Sequence, residues 1–149
     1  MAPLIGHATL AAGDLSAAKA WRDTMDATMY RGEALGRDLQ GLAAGIDALG
    51  GNRSVALAQF REALTGYRVL GLAFDEALTV LDMVSLLGAD EPEVLTAAEW
   101  ARGTLTHLGA KPLVDRLDTA MSQPSRAPAG AAMEIGSGAR STSVTATTG

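Results

Sequence analysis

Histidines, carboxylates and hydroxyls set the limits on what this chain could catalyse. Its two histidines, His7 and His107, stand a hundred residues apart. General-base chemistry needs a base within hydrogen-bond reach of the group it deprotonates, and a third group to hold that base in line. His7 lies in a short apolar N-terminal stretch with no acidic neighbour to orient it. His107 precedes Leu108-Gly109 at an expected helix C-terminus, where a partly cationic imidazole complements the helix dipole, so it reads as a capping residue. Carboxylates pair as neighbours at Asp75-Glu76 and lie about one turn apart at Asp115 and Asp118. Such pairs can chelate a divalent ion, but metal cages in helical bundles use Glu-x-x-His pairs, which do not occur here; solvated faces are the plain reading. The absence of Cys removes disulfides, thiolate metal sites and a cysteine nucleophile together. The stretch Gly136-Ser-Gly-Ala-Arg-Ser-Thr142 has the composition of a phosphate loop but lacks a Lys before the Ser/Thr, a preceding strand and a following helix. No catalytic, cofactor-binding or metal-binding residue is assigned, and no enzymatic activity is expected. The enzymatic alternative would announce itself as a concave pocket of converging polar side chains around His107.

Charge points away from polyanions. Twelve basic residues face 17 acidic ones, for a net charge of −5, whereas phosphate neutralisation needs clustered Lys and Arg. A small DNA-associated transcriptional regulator is therefore the weaker alternative. Between Arg68 and Arg102 no basic residue occurs, while Asp75, Glu76, Asp82, Asp90, Glu91, Glu93 and Glu99 all fall there. These are either a solvated face with helix-capping carboxylates, or a patch through which Asp75, Glu76, Asp82, Asp90, Glu91 and Glu93 meet a basic partner.

The elements that must position these groups are helices. Apolar residues make up 48% of the 149-residue chain, yet only two Phe, two Tyr and two Trp are present, so the core is built from Leu, Ala, Val and Met. Ala and Leu lead the helix propensity scale. The length fits one domain. Gly13-Asp14 and Gly50-Gly51-Asn52 each read as a glycine terminator followed by an N-cap, and Asp90 to Glu93 resembles a capping box with Pro92 in the first turn. Gly109 and Pro112 mark the last break. Helices are expected over 3–12, 15–30, 33–49, 53–70, 73–87, 92–108 and 112–121. Leu35, Leu39, Leu42, Ile46 and Leu49 form one apolar stripe, and Leu57, Phe60, Leu64, Tyr67 and Leu70 another. The stripes are too short and too often broken for a coiled coil. Met25, Met29, Met83 and Met121 read as core filling. Helix 33–49 carries Gly36, Gly41 and Gly45, each costing about 1 kcal/mol of helix stability relative to Ala. Close helix approach explains them plainly; a partner helix or peptide seated over Gly41 and Gly45 is the sharper reading. From residue 123 to residue 149 the chain turns to Pro, Gly, Ser, Thr and Ala with no Leu or aromatic, and is expected to be a disordered tail.

Gly51-Asn52 followed by Ala56, Phe60 and Ala63 resembles the second helix of a tetratricopeptide-type hairpin, in which small residues seat the helices and an aromatic packs between them. Gly13-Asp14 with Ala18 is a weaker copy, with Arg22 where the aromatic would stand. Ala97, Ala98 and Ala101 make a third, preceded by the altered turn Leu87-Gly88-Ala89-Asp90. The intervals from Ala18 to Ala56 and from Ala56 to Ala98 exceed the ~34 residues of the standard repeat, so the hairpins are divergent. Over residues 51 to 121 the chain resembles the C-terminal helical arrays of bacterial, mostly actinobacterial, signalling ATPases of the adenylate/guanylate-cyclase and LuxR types. Those arrays end near an LGA-x-P-x-x-x-R-L segment, present here as Leu108-Gly109-Ala110-Lys111-Pro112 with Arg116 and Leu117. No Walker A, cyclase pair or helix-turn-helix is found, so none of the parents' activities transfers to a residue of this chain. Peptide clamps of the tetratricopeptide class use Lys, Asn and Arg on their groove helices; Asp38, Gly41, Gly45 and Ala48 stand on that face here, against a carboxylate-terminated ligand.

The resemblance implies an all-α right-handed superhelix of three divergent hairpins plus a terminal helix over residues 1–122, acting as a protein-interaction or intramolecular regulatory module. Its partner would be another protein or the preceding domains of a longer parent chain. No stretch has the apolar length of a membrane span or the form of a signal peptide, which gives a soluble, cytoplasmic reading without nucleic acid or membrane as partner. The apolar segment from Pro3 to Ala12 lacks the polar outer face that a terminal repeat needs, so self-association through the N-terminal hairpin is expected.

Overall fold

Each amphipathic segment becomes a helix. The computed structural model describes residues 2–28 and 32–124, and among these it contains seven helices and no strand: α1 Ala2–Ala12, α2 Leu15–Ala27, α3 Glu33–Leu49, α4 Arg53–Leu70, α5 Ala73–Leu87, α6 Pro92–His107 and α7 Lys111–Met121. The chain is all-α, with boundaries close to those its punctuation implies. Asp14 caps α2 by accepting a hydrogen bond from the Ala17 amide at 2.8 Å. Gly51 (φ 86°) and Gly109 (φ 71°) turn the chain through the left-handed region, where a Cβ would be strained.

Three local expectations are corrected. Asn52 precedes α4 but makes no side-chain cap; its amide instead contacts Asp47 Oδ1 at 3.2 Å. The capping box does not form, because Glu91 rather than Asp90 is the N-cap residue of α6 and the Glu93 carboxylate is drawn to Arg61. Helix α2 ends at Ala27, with Thr28 extended, rather than at Tyr30; Met29 and Tyr30 lie outside the described residues. So does the expected disordered tail from residue 125 onward, while Gln123 and Pro124 are exposed.

Helices α3 with α4, and α5 with α6, form the two most extensive pairings, and α4 packs on α5 to join them. Ala56, Ala63 and Ala98 are completely buried, as seams between closely approaching helices require. Helix α5 is the hub, touching α1, α3, α4, α6 and α7. Its run Ala77-Leu-Thr-Val-Leu-Asp-Met-Val84 is buried on every side, Thr79 and Asp82 included, the outcome for a helix with apolar residues on all its faces. Phe60, Met83, Leu86, Leu87, Leu105 and Leu117 fill the space between the helices. Helix α7 closes the far side against α5 and α6. At the other side α1 leans on α2, α3 and α5 together, with Leu10 in the core and Leu4 and Ile5 about half exposed. No helix among the described residues is long and apolar enough to cross a membrane.

Candidate functional site

The acidic run between Arg68 and Arg102 does not assemble into one surface. Glu76 and Asp82 point into the protein, 2% and 6% exposed. Asp75 begins α5 and Asp90 lies beyond its C-terminus, ~20 Å apart at 1.5 Å per residue. Three arginines of α4 meet this stretch one by one. Arg53 reaches Glu91 at 3.7 Å and donates to the Leu87 carbonyl at 2.6 Å. Arg61 grips Glu93 through two hydrogen bonds of 2.8 and 2.7 Å. Arg68 reaches over to the buried Glu76 at 2.5 Å. Three of the seven acids in the run, Glu76, Glu91 and Glu93, are thus matched by arginines of α4. Bidentate geometry favours the Arg61 pair; the bonding holds the Glu93 carboxyl below its ordinary range. Of the other carboxylate pairs, Asp115 binds Lys111 at 2.9 Å and Asp118 binds Arg102 at 2.8 Å. No cluster of three metal-ligating side chains occurs among the described residues.

Two of those α4 arginines, Arg61 and Arg68, rim a groove. Helices α4 and α6 both rest on α5 with their backbones held apart and Arg61 bridging to Glu93 between them, leaving a cavity of about 520 Å³ above α5. Leu64, Val80, Met83 and Ala97 make its floor, Trp100 forms one wall and is 38% exposed, and Arg61, Arg68 and Glu93 stand at its edge. The volume falls within the roughly 300–1,000 Å³ of ordinary ligand pockets, and the mix of an apolar floor, one aromatic and a few placed charges is the mix such sites use. Trp and Arg are also the residues over-represented at the energetic centres of protein interfaces. Sequence reasoning missed this groove because it is made by three helices whose contributing residues span Arg61 to Trp100. The signal available was Trp100 at a position three residues from Ala97, on the face of α6 that carries no core leucine.

A second polar cluster sits under α1. His7 Nδ1 is hydrogen-bonded to Asp82 Oδ2, joining residues 75 positions apart, so the histidine expected to lack an acidic neighbour has one on α5. Nearby, the Tyr67 hydroxyl donates to Asp38 at 2.5 Å. Burial pulls the His7 imidazole down, but the Asp82 hydrogen bond and the charges of Asp82, Asp38 and Asp75 outweigh it and hold the imidazole above its ordinary value. Burial pushes Asp82 up, with His7 and Arg116 pulling it back, and burial likewise raises Asp38 against the Tyr67 hydrogen bond. Tyr67 itself is driven upward, by burial first and by Asp38 second. The cavity between His7, Trp21, Asp38, Thr79 and Asp82 measures about 20 Å³, the space of one water. This part-buried histidine–carboxylate pair fastens α1 to α5. His107 is exposed in the last turn of α6.

Comparison with family models, with curated proteins and with solved structures returned no match at any of the three levels. The groove and the His7 cluster therefore stand on their own geometry.

Proposed function

We propose that this chain is a protein-interaction module built of divergent helical hairpins, and that it holds a segment of a partner in the groove between α4 and α6. The carrying observation is that gap itself: two helices propped on a common third with their backbones apart and bridged by the Arg61–Glu93 pair, over an apolar floor with a partly exposed tryptophan. The pairings α1 with α2, α3 with α4 and α5 with α6, closed by α7, support a short superhelical array of tetratricopeptide kind. On this reading the work is cytoplasmic and regulatory, and the segment comes from a protein partner or from preceding domains of a longer signalling chain of the type that residues 51 to 121 resemble.

An aliphatic or aromatic side chain of the partner would fill the space over Met83 and Ala97, excluding water from the Arg61–Glu93 pair and strengthening it. Selection from a random helical-peptide library tests this. Enriched peptides should lose binding to the variant Ala97→Trp, whose added ring fills the groove from a partly buried position, while the thermal melt of that variant stays close to the parent. Peptides that bind Ala97→Trp as well as the parent, or a library that yields none, would overturn the assignment.

A further inference from the structure

The sequence beyond Pro124 contains a segment whose chemistry matches the α4–α6 groove. Met133 and Ile135 flank Glu134, the only acid from there to the end, and apart from Val144 they are its only apolar side chains larger than alanine or proline. So small an apolar set builds no core of its own and needs a surface elsewhere to leave water. In extended backbone residues two apart share a face, so a segment bound in that form turns Met133 and Ile135 down together and Glu134 up. The groove offers the complement at both levels. Leu64, Val80, Met83 and Ala97 are apolar below, and Arg61 and Arg68 stand at the edge above. Arg68 is 67% exposed and gives Glu76 one end of its fork, which leaves further donors for a second carboxylate. The tether is also long enough. Helix α5 turns Glu76, Val80 and Met83 to the groove, while its Leu81 and Ser85, about half a turn round, line a hollow with Ala120 and Gln123 at the end of α7. From Pro124 to Met133 the chain can span about 30 Å at ~3.3 Å per residue. Passing two helices takes about 20–24 Å, so the segment reaches the groove of its own molecule.

We propose that residues 131–135, Ala-Ala-Met-Glu-Ile, are an intramolecular ligand of the α4–α6 groove, with Met133 and Ile135 over Val80, Met83 and Trp100 and with Glu134 at Arg68. The inference rests on the groove being a binding seat, and adds that this chain fills the seat until a partner displaces the segment. A flexible tether holds its end at an effective concentration of about millimolar, so a contact too weak to join separate molecules still fills the groove. A partner then binds with an affinity reduced by the fraction of chains whose groove is open.

The absence of Cys lets a nitroxide be placed at a single position, through Ser137→Cys, two residues beyond Ile135. In methionine-methyl spectra of that full chain the Met83 resonance should be bleached by the oxidised label and restored on its reduction, while Met25, beside the His7 cavity, should keep its intensity. Adding Met133→Ser and Ile135→Ser should abolish the bleaching. In the unlabelled chain the same two changes should tighten peptides selected from the helical library at least about 10-fold relative to the parent. Met83 and Met25 bleached alike, or neither bleached, would overturn the proposal. So would bleaching of Met83 in an unlabelled, isotope-enriched chain mixed with a spin-labelled one, which gives the groove to the segment of a second copy. The two readings fail separately. Peptides that shift Met83 and bind parent and double variant equally refute the resident segment and keep the groove as a partner's seat; peptides that bind neither chain, with Met83 still bleached by the label, keep the segment and refute the partner.

Discussion

Replacing Gly45 by alanine should destabilise the protein, although alanine is the better helix former. Helix α3 contains a built-in control, because Gly36 has nothing within 4 Å of where a Cβ would sit, while a Cβ at Gly45 would strike Leu10. At Gly36 only the propensity difference acts, and Gly36→Ala should gain about 1 kcal/mol. At Gly45 the same gain is set against eviction of Leu10, which is 2% exposed; returning a leucine to water costs about 1.5–3 kcal/mol. The net loss is about 0.5–2 kcal/mol. For a folded region of this size that is a fall in Tm of roughly 5 °C, against a rise of a similar size for Gly36→Ala. Gly66 makes a third case. A Cβ there would meet the Arg37 side chain, with Cζ at 2.8 Å, but Arg37 is half-exposed and can swing away at the expense of its 3.0 Å hydrogen bond to Gln40. Gly66→Ala should therefore be close to neutral. Thermal melts followed by circular dichroism measure all three, and the Leu10→Ala background supplies a further check, since Gly45→Ala should become stabilising once the leucine is gone. A Gly45→Ala chain that melts as high as Gly36→Ala would show that Leu10 does not occupy the space over Gly45.

The other expectations can be stated briefly. Ala56→Leu puts a large side chain into a fully buried seam and should cost about 1–3 kcal/mol, visible as a lower Tm; an unchanged melt would refute the hairpin register. Stability should fall as pH rises above 6.5, the ordinary histidine value: the folded His7 holds its proton more tightly than the unfolded chain does, so its contribution is complete below that value and is lost as pH climbs through the folded one. The raised Asp38 and Asp82 slope the same way, whereas Glu93 loses its contribution in acid, and the difference between the parent and His7→Gln in a Tm series from pH 6 to 9 reads the part due to the His7 pair. Leu4 and Ile5, 52% and 46% exposed, should make the chain self-associate through its N-terminal hairpin; sedimentation should show a dimer that Ile5→Glu converts to monomer, and a clean monomer at high concentration would defeat the idea.

Helix positions were legible because local rules set them. Glycine terminators, the Asp14 cap, Pro92 and the Leu stripes all act within a turn or two, and the observed ends follow them closely. What stayed hidden is set by contacts between helices distant in the chain. The acidic run between Arg68 and Arg102 reads as uncompensated until α4 is laid beside it, bringing Arg53, Arg61 and Arg68 to Glu91, Glu93 and Glu76. His7 reads as solitary until α1 crosses α5 and meets Asp82. The hub role of α5 did carry a signal, since the stretch from Ala77 to Leu87 is interrupted only by Thr79, Asp82 and Ser85 and so leaves little solvent face for a surface helix. Glycines in α3 also carried one, but spacing alone could not say that α1 would fill the space over Gly45.

Methionine methyl labelling tests the central claim most directly, because Met83 lines the groove between α4 and α6 while Met25 lines the small cavity beside His7. On titration with a peptide selected by the full chain, the Met83 methyl resonance should shift in proportion to occupancy and the Met25 resonance should stay in place. A peptide that binds with equal affinity while leaving Met83 unmoved would contradict the assignment of the groove as the partner's seat.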